Sequence, residues 1–353
     1  MKDLVVVTGC SGFIGSALCA ELQSEFLVVG LDVKEPDFPP EVSVEWIETD
    51  FEIDESVAGA FSEIRRRFGQ KIASVVHLVA YYDFSGAESE LYEEVTVRGT
   101  ERLMSELAGM DVEQLAYASS HLVHSPCEMG DKVRETDRFE AKWPYPASKI
   151  EAEKLISRWR GDYKVIVYRI AGVYDGYCNS IPISRQIARI FERRVTASVY
   201  PGNVKTAQPY IHVRDLVAGI KRGIERRHLL PTHLSLLMAE PRSFSYDRMQ
   251  KAISKAIYGE VWETEVIPAS VARTGAWLQE HFSGGSTFIK PWMVDLAEDH
   301  YDLDVGKARR YLQWEAEHLV VDCVGTMIAG LKEDPEVWYS HHGMALDRTG
   351  SPV

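Results

Sequence analysis

The sequence predicts an α/β fold, a doubly wound parallel sheet with a smaller C-terminal lobe. Short apolar runs of the buried-strand type alternate with amphipathic helices through about residue 173, which is the order that a parallel sheet requires. A glycine-rich turn follows the first of these runs directly. The chain has 353 residues, which is long for one compact domain, so a second, smaller unit is expected.

The first predicted strand, Leu4–Thr8, leads straight into the turn Gly9-Cys-Ser-Gly12-Phe-Ile-Gly15. Gly9 allows the tight turn, Gly12 lets the backbone approach a pyrophosphate, and Gly15 permits close packing of helix on strand. An amphipathic helix begins at Gly12–Phe13, so its free N–H groups point at an anion. This combination is typical of a Rossmann-type dinucleotide site. The cofactor contacts predicted here are Gly9, Ser11, Gly12, Phe13, Ile14 and Gly15.

The second predicted strand, Phe26–Leu31, ends in Asp32. A carboxylate at that position accepts hydrogen bonds from both ribose hydroxyls of adenosine and repels a 2′-phosphate, so NAD rather than NADP is predicted. Two alternatives stay open. Lys34 would soften the repulsion, and an aspartate at a strand end also occurs as a plain turn residue.

Tyr145-Pro-Ala-Ser-Lys149 places a phenol and an ammonium four residues apart, on one face of a helix. A nearby ammonium favours the phenolate and lowers a pKa that is ordinarily about 10. A phenol tuned in this way can exchange a proton with a substrate hydroxyl or carbonyl. The same spacing also occurs where a half-buried ring lies beside a solvated ammonium, so the pair alone does not predict catalysis.

With further motifs in the same order, these residues resemble the extended short-chain dehydrogenase/reductases of the NAD-dependent epimerase/dehydratase family. Glu48–Phe51 resembles the segment whose aspartate contacts adenine, and Val75–Ala80 resembles the strand end that lies along the cofactor. Thr96–Thr100 resembles the family's Asn-Val-x-Gly-Thr helix motif, and Tyr117–Val123 the strand that bears a catalytic hydroxyl. The resemblance implies further cofactor contacts at Asp50, Phe51, Leu78, Val79, Ala80, Thr96, Ser119, Tyr145, Lys149 and Ile170.

The resemblance also implies a catalytic set. Tyr145 would act as general acid or base at the reacting oxygen, Lys149 would lower the pKa of Tyr145 and hold the nicotinamide ribose, and Ser120 would hydrogen-bond the same oxygen. The nicotinamide supplies the hydride chemistry. Without the other two residues, Ser120 would be interpreted as a strand-end serine that satisfies backbone groups.

Charge and cysteine usage limit the partners. The 39 Lys and Arg against 53 Asp and Glu give a net charge of −14, a surface that repels nucleic acids and anionic membranes. The five cysteines are scattered without a Cys-x-x-Cys pair, so neither a disulfide framework nor a metal site is predicted. No apolar run approaches the ~20 residues that span a bilayer, and Met1 leads straight into the first strand. A cytoplasmic protein with a small-molecule substrate is predicted.

The division into units follows the pattern of turns and strands. Residues 1–173 are predicted to form the cofactor domain, to which 209–240 returns. Residues 174–208 and 241–340 are predicted to build a substrate lobe, and 341–353 a loose tail.

Periodic helices are predicted near 86–109 and 146–160. They resemble the helix pair that forms a four-helix dimer interface in the family, which implies a homodimer. A second apolar helix face is also common in intramolecular cores, so this alternative stays open.

Departures from the family pattern bear on the substrate. At three positions, nucleotide-sugar members usually have one Asn and two Arg. This chain has Gly172 in place of the Asn and Gln208 in place of the first Arg, and Pro291–Asp295 lies near the place of the second Arg. A neutral glutamine cannot replace a bidentate charged contact to a pyrophosphate. Dehydratases place Asp-Glu after the catalytic hydroxyl, whereas Ser120 is followed by His121, so dehydration is the least favoured chemistry. Other basic residues could still grip a pyrophosphate: Arg185, Arg189, Lys205 and Lys290.

The expected pocket is aromatic, which suits an apolar or ring-shaped alcohol or ketone. The segment after the cofactor-binding strand also resembles the sterol and hydroxysteroid dehydrogenase branch, and the alternative that the rings form the core of the lobe stays open. Rings of the lobe are Trp277, Phe282, Phe288 and Trp292. The predicted substrate contacts are Tyr81, Tyr82, Ser120, Tyr174 and Gln208.

Three functions are compatible with these features. The favoured one is an NAD-dependent oxidoreductase that transfers a hydride between NAD and a secondary alcohol or ketone, with Tyr145 as acid/base. The second is a nucleotide-sugar epimerase, in which the same hydride is removed from a sugar carbon and returned to the other face. A non-catalytic NAD-binding protein is the third, and it is disfavoured because a binding module has no need of Ser120, Tyr145 and Lys149 together.

Overall fold

The computed structural model describes residues 2–83, 85–158, 161–194, 197–268 and 297–346. The predicted pocket rings Trp277, Phe282, Phe288 and Trp292, together with Lys290 and Pro291–Asp295, lie outside the described residues.

The described strands alternate with helices along most of the chain. In chain order the strands are β1 (Leu4–Thr8), β2 (Leu27–Asp32), β3 (Glu45–Glu48), β4 (Lys71–Ile72), β5 (Ser74–His77), β6 (Asp111–Val112), β7 (Gln114–Ser120), β8 (Lys164–Ile170), β9 (Gly172–Tyr174), β10 (Val199–Pro201), β11 (Ala207–Gln208), β12 (Tyr210–His212), β13 (His233–Met238), β14 (Phe244–Ser245) and β15 (Glu265–Ile267).

The helices are α1 (Phe13–Leu22), α2 (Asp54–Phe68), a π-helical segment (Tyr92–Arg98), α3 (Gly99–Leu107), α4 (Pro144–Arg158), α5 (Ile181–Phe191), α6 (Val213–Glu225), α7 (Tyr246–Tyr258), α8 (Gly306–Leu312), α9 (Val320–Met327), α10 (Ala329–Glu333) and α11 (Pro335–His341). The helix predicted near 86–109 is therefore shorter than expected, because residues 86–90 are not helical. Of the helix predicted near 146–160, residues 159 and 160 lie outside the described part.

A seven-stranded parallel sheet is the centre of the fold, in the order β13-β8-β7-β5-β1-β2-β3. β1, β5 and β7 are buried along their whole length, as expected of parallel strands covered on both faces. The chain proceeds from β1 to β2 and β3 and then returns to place β5 on the other side of β1. The predicted doubly wound Rossmann-type sheet is confirmed, and its strand order reverses between β1 and β5.

Helices cover both faces of this sheet. On one face α1 and α6 pack together through apolar residues such as Leu18 and Leu216. On the other face α2, α3 and α4 contribute Phe61, Leu103 and Ile156 to a second apolar cluster. Each helix presents an apolar stripe to the strands, which is the usual way in which an α/β fold closes its core.

A separate apolar cluster lies in the C-terminal lobe, built mainly by α5, α7, α9, α10 and α11. β13 joins the central sheet after the first lobe residues, pairing in parallel with β8. Met344 and Leu346 pack against the lobe cluster, so the tail predicted for 341–353 is packed as far as Leu346. Residues 347–353 lie outside the described part.

Two buried carboxylates join the sheet unit to the segment that enters α9. Glu240, just beyond β13, accepts the Val320 N–H with both carboxylate oxygens, at 3.0 and 3.1 Å. Asp215, in the first turn of α6, accepts the N–H groups of Glu317 and His318 and contacts His318 Nδ1 at 2.9 Å. Burial raises the pKa of Glu240 to about 7, although the Val320 N–H opposes this shift.

Packing of α6 on β8 depends on the absence of a side chain at Gly223. A Cβ there would lie 1.9 Å from the Tyr168 hydroxyl oxygen, whereas a Cβ on Gly59, inside α2, meets nothing within 4 Å. We therefore expect Gly223→Ala to lower the free energy of unfolding by about 1–3 kcal/mol through overpacking. Gly59→Ala is the matched control and should raise it by about 0.5–1 kcal/mol. Urea unfolding measures both, and equal effects would contradict this packing.

The buried Glu240 makes stability depend on pH. The folded protein keeps the Glu240 proton to about pH 7, while the unfolded chain loses it near ~4.3, so stability falls as pH rises through this window. The Glu240→Gln variant has no such group, so its free energy of unfolding relative to the native protein should rise by roughly 3 kcal/mol as the pH increases through this window. Urea unfolding at a series of pH values tests this, and a difference that does not change with pH would show that Glu240 titrates normally.

Candidate active site

The carboxyl ends of β1, β5, β7 and β8 meet at one edge of the sheet, next to the point where the strand order reverses. The pairing aligns Thr8 with His77 and Ser120 with Ile170. Parallel strands expose their carboxyl ends on the same edge, which is where ligands of open α/β sheets bind. The topology therefore brings the glycine-rich turn, Leu78–Ala80 and Ser120 to one place.

The glycine-rich turn forms a cradle that side chains would fill. Gly9 has φ +73°, a left-handed conformation that favours glycine. A Cβ on Gly15 would lie 2.0 Å from the Gly9 carbonyl oxygen, and one on Gly9 would lie 3.2 Å from the Val79 nitrogen. Gly12 is the N-cap of α1, so the free N–H groups of the helix face the turn. These features fit the pyrophosphate of a dinucleotide.

Asp32 lies directly beside this cradle. Its Oδ2 accepts the Ser11 N–H at 2.9 Å, and its backbone carbonyl accepts the Trp46 Nε1–H at 3.3 Å. The side chain is partly exposed at the end of β2, where it can still accept hydrogen bonds from a ligand. Lys34 contributes only its backbone N–H to Asp32, at 3.4 Å.

A buried chain of hydrogen bonds, Thr8–His77–Thr100, supports the segment after β5. His77 Nδ1 lies 2.7 Å from Thr8 Oγ1, and Nε2 lies 3.2 Å from Thr100 Oγ1. Burial, and then the charge of Lys149, lower the pKa of His77 to about 3, so the ring is neutral. Thr8 Oγ1 also accepts the Leu78 N–H at 3.2 Å. Sequence reasoning missed this chain, although the register of two strand-end polar residues was a usable signal.

The other predicted cofactor contacts surround the same edge. Phe51 is buried, with its ring centroid 5.6 Å from that of His77. Asp50 is partly exposed and accepts the Glu52 N–H at 2.9 Å. Thr96 Oγ1 accepts the Tyr81 N–H at 3.0 Å, which ties the π-helical segment to the loop after β5.

The Ser120 and Tyr145 side chains lie close enough together for Ser120 to oppose the rise in the pKa of Tyr145 that burial causes. Ser120 ends β7, and its Oγ also accepts the Leu122 N–H at 3.2 Å. Tyr145 lies in the first turn of α4. Two hydroxyl groups from different elements thus meet at the sheet edge, where one oxygen of a ligand could contact both.

Lys149 lies one helical turn beyond Tyr145 and is buried. Its Nζ donates to the Ala118 carbonyl at 2.8 Å and is 5.9 Å from the Tyr145 ring centroid. Burial lowers the pKa of Lys149 to about 7, so the ammonium is only partly charged near neutral pH. Burial raises the pKa of Tyr145 to about 12, offset in part by Ser120. Desolvation of the phenol therefore opposes the lowering of the Tyr145 pKa that the Tyr145–Lys149 spacing predicts.

Ser119 differs from its predicted place as a cofactor contact. Its hydroxyl donates to Glu153, which also forms an almost fully buried ion pair with Arg169, Nη2 to Oε2 at 2.7 Å. Arg169 further donates to the Glu135 carbonyl at 2.7 Å. The Ser119 side chain is thus part of a buried polar network under α4 rather than a group that faces a ligand.

Aromatic rings surround Tyr145. The Tyr82 ring lies edge-on at 4.8 Å between centroids, and the Trp143 ring lies at 5.4 Å. Tyr81 packs edge-on against Tyr92 at 4.9 Å. Sequence reasoning missed Trp143, although its position two residues before Tyr145 could have indicated it.

The predicted substrate contacts Tyr174 and Gln208 lie in different surroundings. Tyr174 is fully buried in the lobe cluster, and its ring packs edge-on against His212 at 5.2 Å. It therefore belongs to the core, which corrects the prediction for this residue. Gln208 is partly exposed and donates through Nε2 to the Asp299 carbonyl at 3.0 Å. His121 is also buried and contacts the Ile170 carbonyl through Nδ1 at 3.2 Å.

Metal-ligating side chains do not cluster in the described part of the chain, which contains no group of three or more His, Cys, Asp or Glu placed to hold a metal ion. Among the same residues, no helix is long and apolar enough to cross a bilayer.

The family model described as "NAD dependent epimerase/dehydratase family" matches residues 5–233. The chain belongs to this family. Its members are NAD-dependent enzymes of the extended short-chain dehydrogenase/reductase type, and the cradle around Gly9 and Asp32 fits that cofactor.

Among curated proteins, the chain is 26% identical to human short-chain dehydrogenase/reductase family 42E member 1 over 236 residues, which are 61% of this chain and 56% of the relative. It is 26% identical over 165 residues to an Escherichia coli O157:H7 enzyme, N-acetyl-alpha-D-glucosaminyl-diphospho-ditrans,octacis-undecaprenol 4-epimerase. That match covers 45% of this chain and 44% of the relative. The chain thus spans about half the length of these relatives.

Solved structures share the fold over nearly the whole chain. MoeE5 in complex with UDP-glucose and NAD has a TM-score of 0.69 and 23% identity, covering 93% of this chain and 98% of its own. The Thermus thermophilus UDP-glucose 4-epimerase complex with NAD has a TM-score of 0.70 and 20% identity, covering 93% and 99%. At these identities the likeness establishes the fold alone.

The position of Asp32 predicts a cofactor preference that can be tested. Asp32→Asn removes one negative charge beside the cradle, so NAD binding should weaken and its advantage over NADP should narrow by roughly tenfold. Glu48→Gln is the charge-matched control, since Glu48 is exposed at the end of the neighbouring strand β3. Titration of each variant with NAD and NADP gives the ratio of affinities. An unchanged ratio in Asp32→Asn would place the ribose contact elsewhere.

Proposed function

We propose that the protein is an NAD-dependent oxidoreductase that acts on a secondary alcohol or ketone, with Tyr145 as the acid/base. The main support is the proximity of the Ser120 and Tyr145 side chains to each other, next to the dinucleotide cradle. A purely cofactor-binding protein needs the cradle but no pair of hydroxyl groups aimed at a second ligand.

In this proposal each residue has a distinct task. Bound NAD supplies the hydride acceptor, and its reduced form the donor. Tyr145 exchanges a proton with the substrate oxygen, while Ser120 hydrogen-bonds the same oxygen as charge develops on it. Lys149, held against the Ala118 carbonyl, places positive charge near the phenol to the extent that it is protonated.

The raised pKa of Tyr145, about 12, favours one direction at neutral pH. The phenol is then protonated, so it is ready to donate a proton to a ketone oxygen. Removing a proton from an alcohol requires the phenolate, whose population grows as pH rises. Reduction is therefore the easier direction at neutral pH, and oxidation becomes faster in alkaline solution.

A second candidate is a nucleotide-sugar epimerase. The relative from Escherichia coli and the UDP-glucose complexes support it by analogy. In the lobe, Tyr200 and Tyr246 are stacked with ring centroids 4.1 Å apart. Burial raises the pKa of both phenols, and the nearby Arg189 guanidinium opposes this rise. The Nε atom of Arg189 is buried and has no hydrogen-bond partner among the described residues. A cation beside stacked rings could hold a nucleoside diphosphate.

We also propose a cytoplasmic homodimer joined through α3 and α4. All five cysteines are free thiols, which suits a reducing compartment. The exposed face of these helices holds Glu101, Ser105, Glu151 and Lys154, so a dimer there would depend on charged contacts and should weaken with salt. Sedimentation at low and high salt would detect this, and a monomer under both conditions would exclude the dimer.

Tyr145→Phe should lower turnover by at least roughly 10²-fold, because the proton carrier is lost, and leave NAD binding nearly unchanged. Tyr92→Phe is the matched control: it removes a neighbouring hydroxyl that donates to the Asp83 carbonyl at 3.2 Å, and it should keep most of the turnover. Retained turnover in Tyr145→Phe would exclude its role as acid/base.

Both variants and the native protein are assayed in two ways. NADH formation is followed with a panel of secondary alcohols, and interconversion of UDP-glucose and UDP-galactose is followed in parallel. Accumulating NADH identifies an oxidoreductase, whereas interconversion without net NADH identifies an epimerase.

A further inference from the structure

Two aromatic side chains from separate segments flank the phenol of Tyr145. Tyr82 follows β5 by five residues, and Trp143 directly precedes α4. Their ring centroids lie 4.8 and 5.4 Å from that of Tyr145 and 6.2 Å from each other. Tyr82 is 48% exposed, unlike the large tyrosines of the core, which are buried. The fold thus assembles three rings in mutual contact, all of which solvent reaches, and Tyr82 is the most exposed of them.

Three of the described polar groups near these rings have partners inside the protein. Lys149 Nζ donates to the Ala118 carbonyl, and the Leu122 N–H donates to Ser120 Oγ. The Lys142 ammonium, adjacent to Trp143, lies 2.6 Å from Asp299 Oδ1, and this pair is partly buried. A diphosphate at this place would meet a cation that is already neutralised. A ligand rich in hydroxyl groups would lose water without gaining equivalent hydrogen bonds.

We propose that Tyr82 and Trp143 determine specificity and select a substrate whose reacting carbinol carbon belongs to, or adjoins, an apolar carbocyclic or aromatic ring. The inference rests on the proposed function, since it assumes that the substrate oxygen reaches Tyr145. Ring edges and faces bind apolar rings through dispersion and offset contacts, with no cost for unpaired polar groups. A pyranose can also stack one face on an aromatic ring, but its equatorial hydroxyls would then compete with the partners that Ser120, Lys142 and Lys149 already have.

The test uses the full chain saturated with NAD and two probes, 4-phenylcyclohexanol and UDP-galactose. The half-saturating concentration of each probe is measured from the shift in thermal unfolding. The variants are Trp143→Ala, Tyr82→Ala and the conservative Trp143→Phe. Tyr177→Ala is the matched control, since Tyr177 is an aromatic residue of the lobe that is 76% exposed. Stabilisation by NAD alone shows whether each variant is folded.

We expect 4-phenylcyclohexanol to bind the native protein, and its half-saturating concentration to rise roughly tenfold in Trp143→Ala and in Tyr82→Ala. Trp143→Phe and Tyr177→Ala should stay close to native. The inference is overturned if the apolar probe does not bind, if both alanine variants bind it as the native protein does, or if UDP-galactose gives the larger stabilisation. Because the two alanine variants alter separate segments, a folded one decides the outcome when the other fails to fold.

Failure of this inference is distinguishable from failure of the proposed function. Tyr145→Phe tests the chemistry through turnover, whereas the probes report binding and need no reaction. Lost turnover in Tyr145→Phe together with unchanged probe binding in both alanine variants would retain the oxidoreductase and reject the aromatic selection.

Discussion

The contact between Gly15 and the Gly9 carbonyl is the constraint on which the rest of the site depends. A methyl group at Gly15 would overlap the Gly9 oxygen at 2.0 Å, so α1 can approach the end of β1 only because that methyl is absent. This approach sets the direction of the free N–H groups of α1. It also holds the Gly9 turn beside Val79 of the neighbouring strand end, so two walls of the cofactor site are fixed by one backbone contact.

Buried polar groups supply a second level of order. Thr8, His77 and Thr100 form one chain of hydrogen bonds, and Glu153 with Arg169 forms a buried ion pair. Each group would cost free energy if it lost its partner inside the protein. The two networks therefore specify how β1, β5, β8 and α4 fit together.

The features that could be predicted from sequence are those encoded in short, contiguous patterns. The glycine turn, Asp32 at a strand end and the Tyr145–Lys149 spacing are local, and the structure places all of them at one edge of the sheet. The sheet itself followed from the alternation of strands and helices.

What the sequence did not reveal depends on long-range packing. Tyr174 follows a strand just as a pocket residue would, yet the lobe buries it completely. The effect of Lys149 on Tyr145 was inferred from spacing, whereas desolvation, which depends on everything packed around both groups, determines their pKa values. Trp143 is close to Tyr145 in the chain, but its contact with Tyr82 joins residues far apart in sequence.

The late return of β13 to the sheet has a consequence for synthesis of the protein. β13 pairs with β8, but the ribosome makes residues 174–208 of the lobe, and then α6, between these two strands. Until Met238 has emerged, the edge of β8 that pairs with β13 has no partner strand. Such an edge can pair with other chains, so the nascent chain is exposed to aggregation during this interval, and a chaperone bound then would protect it.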